Sequence, residues 1–210
     1  FDPATHASLD ARRDAVAGIR ASIEAALRDV SALAEDQILR RLTDLICAIQ
    51  RTNFYQTGEE GRGRAFISFK VASRELEDLP EPKPYREIFT SSPQVEGVHL
   101  RFGPVARGGL RWSDRPSDYR TEVLGLVKAQ QVKNAVIVPV GSKGGFFPKQ
   151  LADRSNRNAW FESGRDAYKQ FITALLGLTD NLDGAEVIHP DHTVIWDGED
   201  PYLVVAADKG

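Results

Sequence analysis

Ala135-Val136-Ile137-Val138-Pro139-Val140-Gly141-Ser142-Lys143-Gly144-Gly145 is a short apolar run that closes on a lysine framed by glycines. Six apolar residues are too few for a helix and suit a buried strand, so residues 135–140 read as strand and Gly141 to Gly145 as a glycine turn. Upstream, the pattern predicts a strand over Val98 to Phe102, a first glycine turn at Gly108 and Gly109, and a helix over Ser117 to Asn134. Downstream it predicts a helix over Ala159 to Leu178 and short strands at Ala185 to Ile188 and Leu203 to Ala207. Strands alternating with helices of this length imply an α/β layer with crossover helices and a mixed, partly parallel sheet.

The first quarter of the chain is of another kind. Val16, Ile19, Ile23, Ala26, Leu27 and Val30, then Ile38, Leu42, Leu45, Ile46 and Ile49, recur at helical spacing, which predicts two helices over residues 8–51 with a break near Ala34. Cys47 is expected at a buried helix position. A strand follows the Gly58 to Gly63 turn, at Phe66 to Val71. Pro80, Pro82 and Pro84 then exclude a helix or an inner strand around them. The expected division is a helical arm with a first strand over 1–78, a proline-rich connection over 79–93, and an α/β substrate-binding and catalytic domain over 94–210.

Composition narrows the function. The 210 residues carry a net charge of −3, a poor match to nucleic acid, whose phosphates call for a basic face. Charge is uneven: nine Lys or Arg against three acids between Arg101 and Lys149 give a local +6 and leave −9 elsewhere, so an anion is expected at the middle segment. No uninterrupted apolar run approaches the roughly 20 residues of a membrane helix, and the chain reads as cytoplasmic. A single cysteine excludes an intrachain disulfide. The chain begins at Phe1 and holds no methionine, which reads as a processed or excised piece.

Three segments could carry chemistry. In Ala106-Arg107-Gly108-Gly109-Leu110-Arg111-Trp112, paired glycines let backbone approach a ligand between two arginines. In Gln130-Gln131-Val132-Lys133, an amide and an ammonium three residues apart share one helix face. Lys143, in the glycine segment, is a candidate for proton transfer. That segment is neither a phosphate-binding loop, since Gly144 stands where Ser or Thr would bind magnesium, nor a nucleophile elbow, since Val140 replaces its first glycine. Asp208 ends a strand after Ala206 and Ala207, where active groups of α/β sheets collect. His189-Pro190-Asp191-His192 lacks a third ligand and reads as a turn, so no metal is expected.

Together these segments resemble the substrate domain of the glutamate dehydrogenases: a basic residue before Gly-Gly-Leu-Arg-aromatic (Arg107 to Trp112), Gln-x-x-Lys (Gln130 to Lys133), Pro-x-Gly-x-Lys-Gly-Gly (Pro139 to Gly145), and a small pair before Asp208. Over roughly residues 35–210 the wording is closest to the very large NAD-specific bacterial enzymes. The resemblance implies a substrate-binding part of an NAD-dependent enzyme that deaminates L-glutamate oxidatively to 2-oxoglutarate and ammonium. It makes Lys143 and Asp208 catalytic, Arg107, with Gly108 and Gly109, the anchor of the side-chain carboxylate, and Lys133 with Gln130 that of the α-carboxylate. It further implies a homo-oligomer when intact, with NAD bound mainly by a Rossmann domain absent from this chain.

Two departures from the smaller enzymes are visible. Most of them have lysine where Arg107 stands, and the interval from Lys133 to Lys143 is shorter here by one residue on each side of Pro139. Other readings remain: an enzyme for another amino acid, which would leave Arg107 without a partner; a non-catalytic module binding dicarboxylates or phosphates through its glycine loops; and a structural role for the helical arm.

Overall fold

The computed structural model describes residue 5 and residues 8–57, 64–133, 140–201 and 206–207. Two helices open the chain, α1 (Leu9–Leu27), capped by Ser8 Oγ on the Ala11 amide, and α2 (Leu33–Cys47). They break over residues 28–32, close to the expected point. Their apolar stripe forms, but it is not covered by the described residues: Ile19, Ile38, Leu42, Leu45 and Ile46 are all exposed. Cys47 is half-buried at the end of α2 rather than a core residue.

The helical reading ran too far, because Ile49–Thr52 is strand β1, flanked on both sides by antiparallel partners. Strand β2 (Ile67–Val71) follows, and β3 (Arg86–Ser91) lies inside the stretch expected as a connection. The prolines govern residues 79–85, but the β-rich run Glu87-Ile88-Phe89-Thr90 pairs with β2 on one side and with β4 (Val95–Arg101) on the other.

The parallel part is built from β5 (Ala106–Arg107), β6 (Gly109–Trp112), helix α3 (Tyr119–Lys133) and β7 (Val140–Pro148). β6–α3–β7 is a crossover unit, with β6 parallel to β7 and β4 antiparallel on the other side of β7. Helix α4 (Arg157–Leu176) is capped by Asn156 and followed by a hairpin of β8 (Asn181–Asp183) and β9 (Glu186–Ile188). Strands β10 (Val194–Ile195) and β11 (Ala206–Ala207) complete the main sheet, ordered β10-β1-β2-β3-β4-β7-β6-β11 with β5 beside β7. The mixed, partly parallel α/β architecture is therefore present. No helix among the described residues is long and apolar enough to cross a membrane.

Each face of the sheet carries a helix. Phe171, Ala174 and Leu175 of α4 pack on Ile88, Val95, Leu110 and Phe146, while Tyr119, Val123, Leu124 and Val127 of α3 pack on Val98, Leu100 and Phe102. Burying each such aliphatic or aromatic side chain contributes about 1.5–3 kcal/mol. Of the strand expected at 135–140 only Val140 is among the described residues.

Both glycine segments correct the turn reading: neither turns. Gly141 to Gly145 are inner positions of β7, and Gly108 is the link between β5 and β6, both parallel to β7. The glycines serve close approach. A Cβ on Gly108 would lie 1.5 Å from the Ser142 carbonyl oxygen, and one on Gly145 would lie 2.4 Å from Val123 of α3. Gly108→Ala sets backbone against backbone, so a loss of about 3 kcal/mol is expected, the upper end of ordinary overpacking. Gly125, exposed in α3 with nothing within 4 Å of its would-be Cβ, should instead gain about 0.5–1 kcal/mol on replacement by alanine. Urea midpoints at unchanged slope read both; equal effects would contradict the packing account.

Candidate functional site

Strand alternation places Gly141, Lys143 and Gly145 on one face of β7. That face looks at α3, since a Cβ on Gly141 would meet Gln130 Oε1 at 3.0 Å and one on Gly145 would meet Val123. Lys143, half-buried between them, therefore shares the α3 side of the sheet with Gln130, and its backbone pairs with Leu100. Arg107 is exposed on β5, whose register sets Arg107 opposite Gly141. Gln130 ties the corner together, donating from Nε2 to the Arg107 carbonyl at 3.1 Å.

Arg107, Gly108, Gly109, Gln130 and Lys143 are thus gathered on neighbouring strands and the end of one helix. Lys133 is the last residue of α3, three positions beyond Gln130, and Asp208 lies outside the described residues. Ala206–Ala207, just before it, pair in parallel with Gly109–Leu110 of β6. Arg107, the last residue of β5, and Gly141 lie at the amino end of the parallel β7, where α3 ends. Two buried acceptors there, Gln130 Oε1 and Ser142 Oγ, have no hydrogen-bond partner among the described residues. Buried polar atoms of this kind are uncommon and suit a ligand or water as partner.

A second polar centre had no local signal. Arg51 of β1, wholly buried, donates to Asp180 at 2.7 and 3.0 Å and to Asp197 at 2.6 Å. Lys70 of β2 contacts Asp197 and Asp200, and Arg101 of β4 donates to Asp200 at 2.9 Å. Burial works to raise the Asp180 carboxyl, yet hydrogen bonds from Arg51, the Asp200 amide and His189 hold it down at about 2. Burial, with the charge of Arg101, pushes the His99 imidazole down to about 4, so it is neutral at pH 7. Burial also lowers Lys70 against the pull of its two aspartates. Lys70, His99, Arg101 and Asp200 line a cavity of about 10 Å³, room for one water, on the face of the sheet opposite Lys143. The network fastens the segment after α4 to the sheet. His189 is engaged in it through Nδ1 on Asp180, at 2.8 Å.

A family model described as bacterial NAD-glutamate dehydrogenase, catalytic domain, matches residues 22–210. The chain belongs to this family. It is 58% identical over 184 residues to an NAD-specific glutamate dehydrogenase of Halomonas elongata, covering 88% of this chain and 11% of that protein. The corresponding protein of Pseudomonas aeruginosa is 57% identical over 189 residues, 90% of this chain and 12% of its own. That of Mycobacterium tuberculosis is 49% identical over 216 residues, 99% and 13% respectively. The chain thus spans roughly an eighth of the length of these relatives. Within the family segment the motif residues Arg107 to Trp112, Gln130 to Lys133 and Pro139 to Gly145 all fall inside the match.

Proposed function

We propose that this segment supplies the amino-acid substrate site of an NAD-dependent glutamate dehydrogenase, which converts L-glutamate, NAD and water to 2-oxoglutarate, ammonium, NADH and a proton. The observation that supports this reading most is the joining of Arg107, Gln130 and Lys143, from three separate motifs, at one corner of β5, β7 and α3. L-Glutamate carries two carboxylates about one side chain apart, so two cationic anchors on different elements would fix its Cα. In this reading Arg107, with the Gly108 and Gly109 backbone, holds the side-chain carboxylate, and Lys133 holds the α-carboxylate. Gln130, whose Nε2 is engaged on the Arg107 carbonyl, steadies that strand and offers Oε1 to a donor such as the substrate amine. Lys143 assists water attack on the imine, and Asp208 shuttles protons.

Among the described residues no glycine-rich turn leads from a strand of the sheet into α3 or α4. The junction between β6 and α3 carries Asp114 and Asp118 where a pyrophosphate would need glycine backbone, so the cofactor is proposed to bind mainly outside this chain. The same reading makes the intact enzyme a cytoplasmic homo-oligomer.

Thermal denaturation of the chain with glutamate, 2-oxoglutarate and norvaline tests the assignment. A ligand at a hundred times its Kd stabilises by about 2.7 kcal/mol, so the two dicarboxylates should raise Tm and norvaline, which lacks the side-chain carboxylate, should raise it much less. Arg107→Ala should abolish that difference. No shift with either dicarboxylate, or an equal one with norvaline, would contradict the substrate reading.

A further inference from the structure

The carboxyl ends of β6 and β7 open into a second cleft, of about 830 Å³, at the end of the parallel strands opposite to the motif corner. Its walls include Arg111, Trp112, Lys149, Arg154, Arg157 and Trp160. Asp114 is an acid on its rim. Two of the four cations are already engaged, Arg111 with Glu122 at 2.5 Å and Lys149 with Glu96 at 2.9 Å. Arg154 and Arg157 are exposed and have no ion-pair partner among the described residues.

Three further features favour an anion. Arg157 is the first residue of the 20-residue α4, whose first turn holds no acid, so the positive end of the helix dipole adds to the two guanidinium groups. The indoles of Trp112 and Trp160 stack with ring centroids 4.8 Å apart in the wall of the cleft. Trp160 Nε1 is a buried donor without an acceptor among the described residues.

We propose that this cleft binds a small anion bearing a chain of phosphates. Two unpaired guanidinium forks three residues apart, beside a helix N-terminus, match successive phosphate groups, for which the planar fork is better suited than a lysine. The half-buried indoles in the same wall give a nucleoside base a partly accessible aromatic surface, so the phosphates come from a nucleotide or from free polyphosphate. The site lies apart from Lys143 and Arg107, and does not depend on their assignment.

Tryptophan fluorescence tests it. In a Trp196→Phe background the emission comes from Trp112 and Trp160, both in the cleft. Titration with ATP and, separately, with inorganic tripolyphosphate should give a saturable change that weakens with added salt. Tighter binding of ATP assigns the phosphates to a nucleotide, and equal binding assigns them to free polyphosphate. Replacing Arg154 and Arg157 together by alanine should raise the half-saturating concentration by about tenfold or more while far-UV circular dichroism stays unchanged, because neither side chain holds the fold. No saturable change with either compound, or one that survives the double substitution, overturns the proposal.

Discussion

In the intact enzyme carrying this segment, Lys143→Ala is expected to lower kcat by roughly 10²- to 10⁴-fold, the range typical of a lost general acid or base, with little effect on KM. The expectation rests on the proposed role of Lys143 in hydrating the imine, and on its position on the α3 face of β7, between Gly141 and Gly145. Arg107→Ala removes the same charge from the same corner, yet should act differently. The carboxylate it is proposed to hold is equally charged in the ground and transition states, so KM for glutamate should rise while norvaline turnover suffers much less. Steady-state kinetics on both substrates read the contrast. A Lys143→Ala enzyme with unchanged kcat and a raised KM would make Lys143 a second anchor and remove its proton-transfer role.

Asp180→Ala carries the largest expected loss of stability. Asp180 is wholly buried and accepts two bonds from Arg51, one from the Asp200 amide and one from His189. Its removal leaves the Arg51 guanidinium in the interior with Asp197 and two backbone carbonyls as partners. Breaking one member of a buried ion pair costs about 3–5 kcal/mol, a large part of the 5–15 kcal/mol that typical domains have. Asp180→Asn, which keeps the shape and some of the hydrogen bonds, should lose less. Acid should act in the same direction. The folded-state carboxyl sits at about 2 against an ordinary 3.8, so its contribution is complete above about pH 4 and is lost as the pH falls towards 2. Urea denaturation of Asp180→Ala at pH 7 decides the matter, and a loss below about 1 kcal/mol would show that the network does not hold the segment after α4.

The motif corner could be read from the chain because each piece is local: Arg107-Gly108-Gly109, Gln130 with Lys133 one helical turn apart, and Lys143 between glycines. Helices α3 and α4 and strand β4 could be read as well, since their apolar residues recur at the periods those elements require. Within 79–93 proline is a strong local signal only over residues 79–85, whereas β3, in the same stretch, is held by pairing with β2 and β4 on either side of it.

The alternation of elements and the order of the motifs by themselves determined an α/β sheet and a family resemblance over roughly residues 35–210, within the family match of 22–210. What the glycines are for was decided only by the tertiary structure. A glycine in sequence signals freedom to turn, but Gly108, Gly141 and Gly145 lie where β5, β7 and α3 come too close for a Cβ, a constraint that exists only once those elements are packed. The Arg51, Lys70 and Arg101 network was invisible for the same reason. In the chain these are three cations on separate strands, and the aspartates that make their burial possible arrive from residues 180–200, more than 95 positions further on.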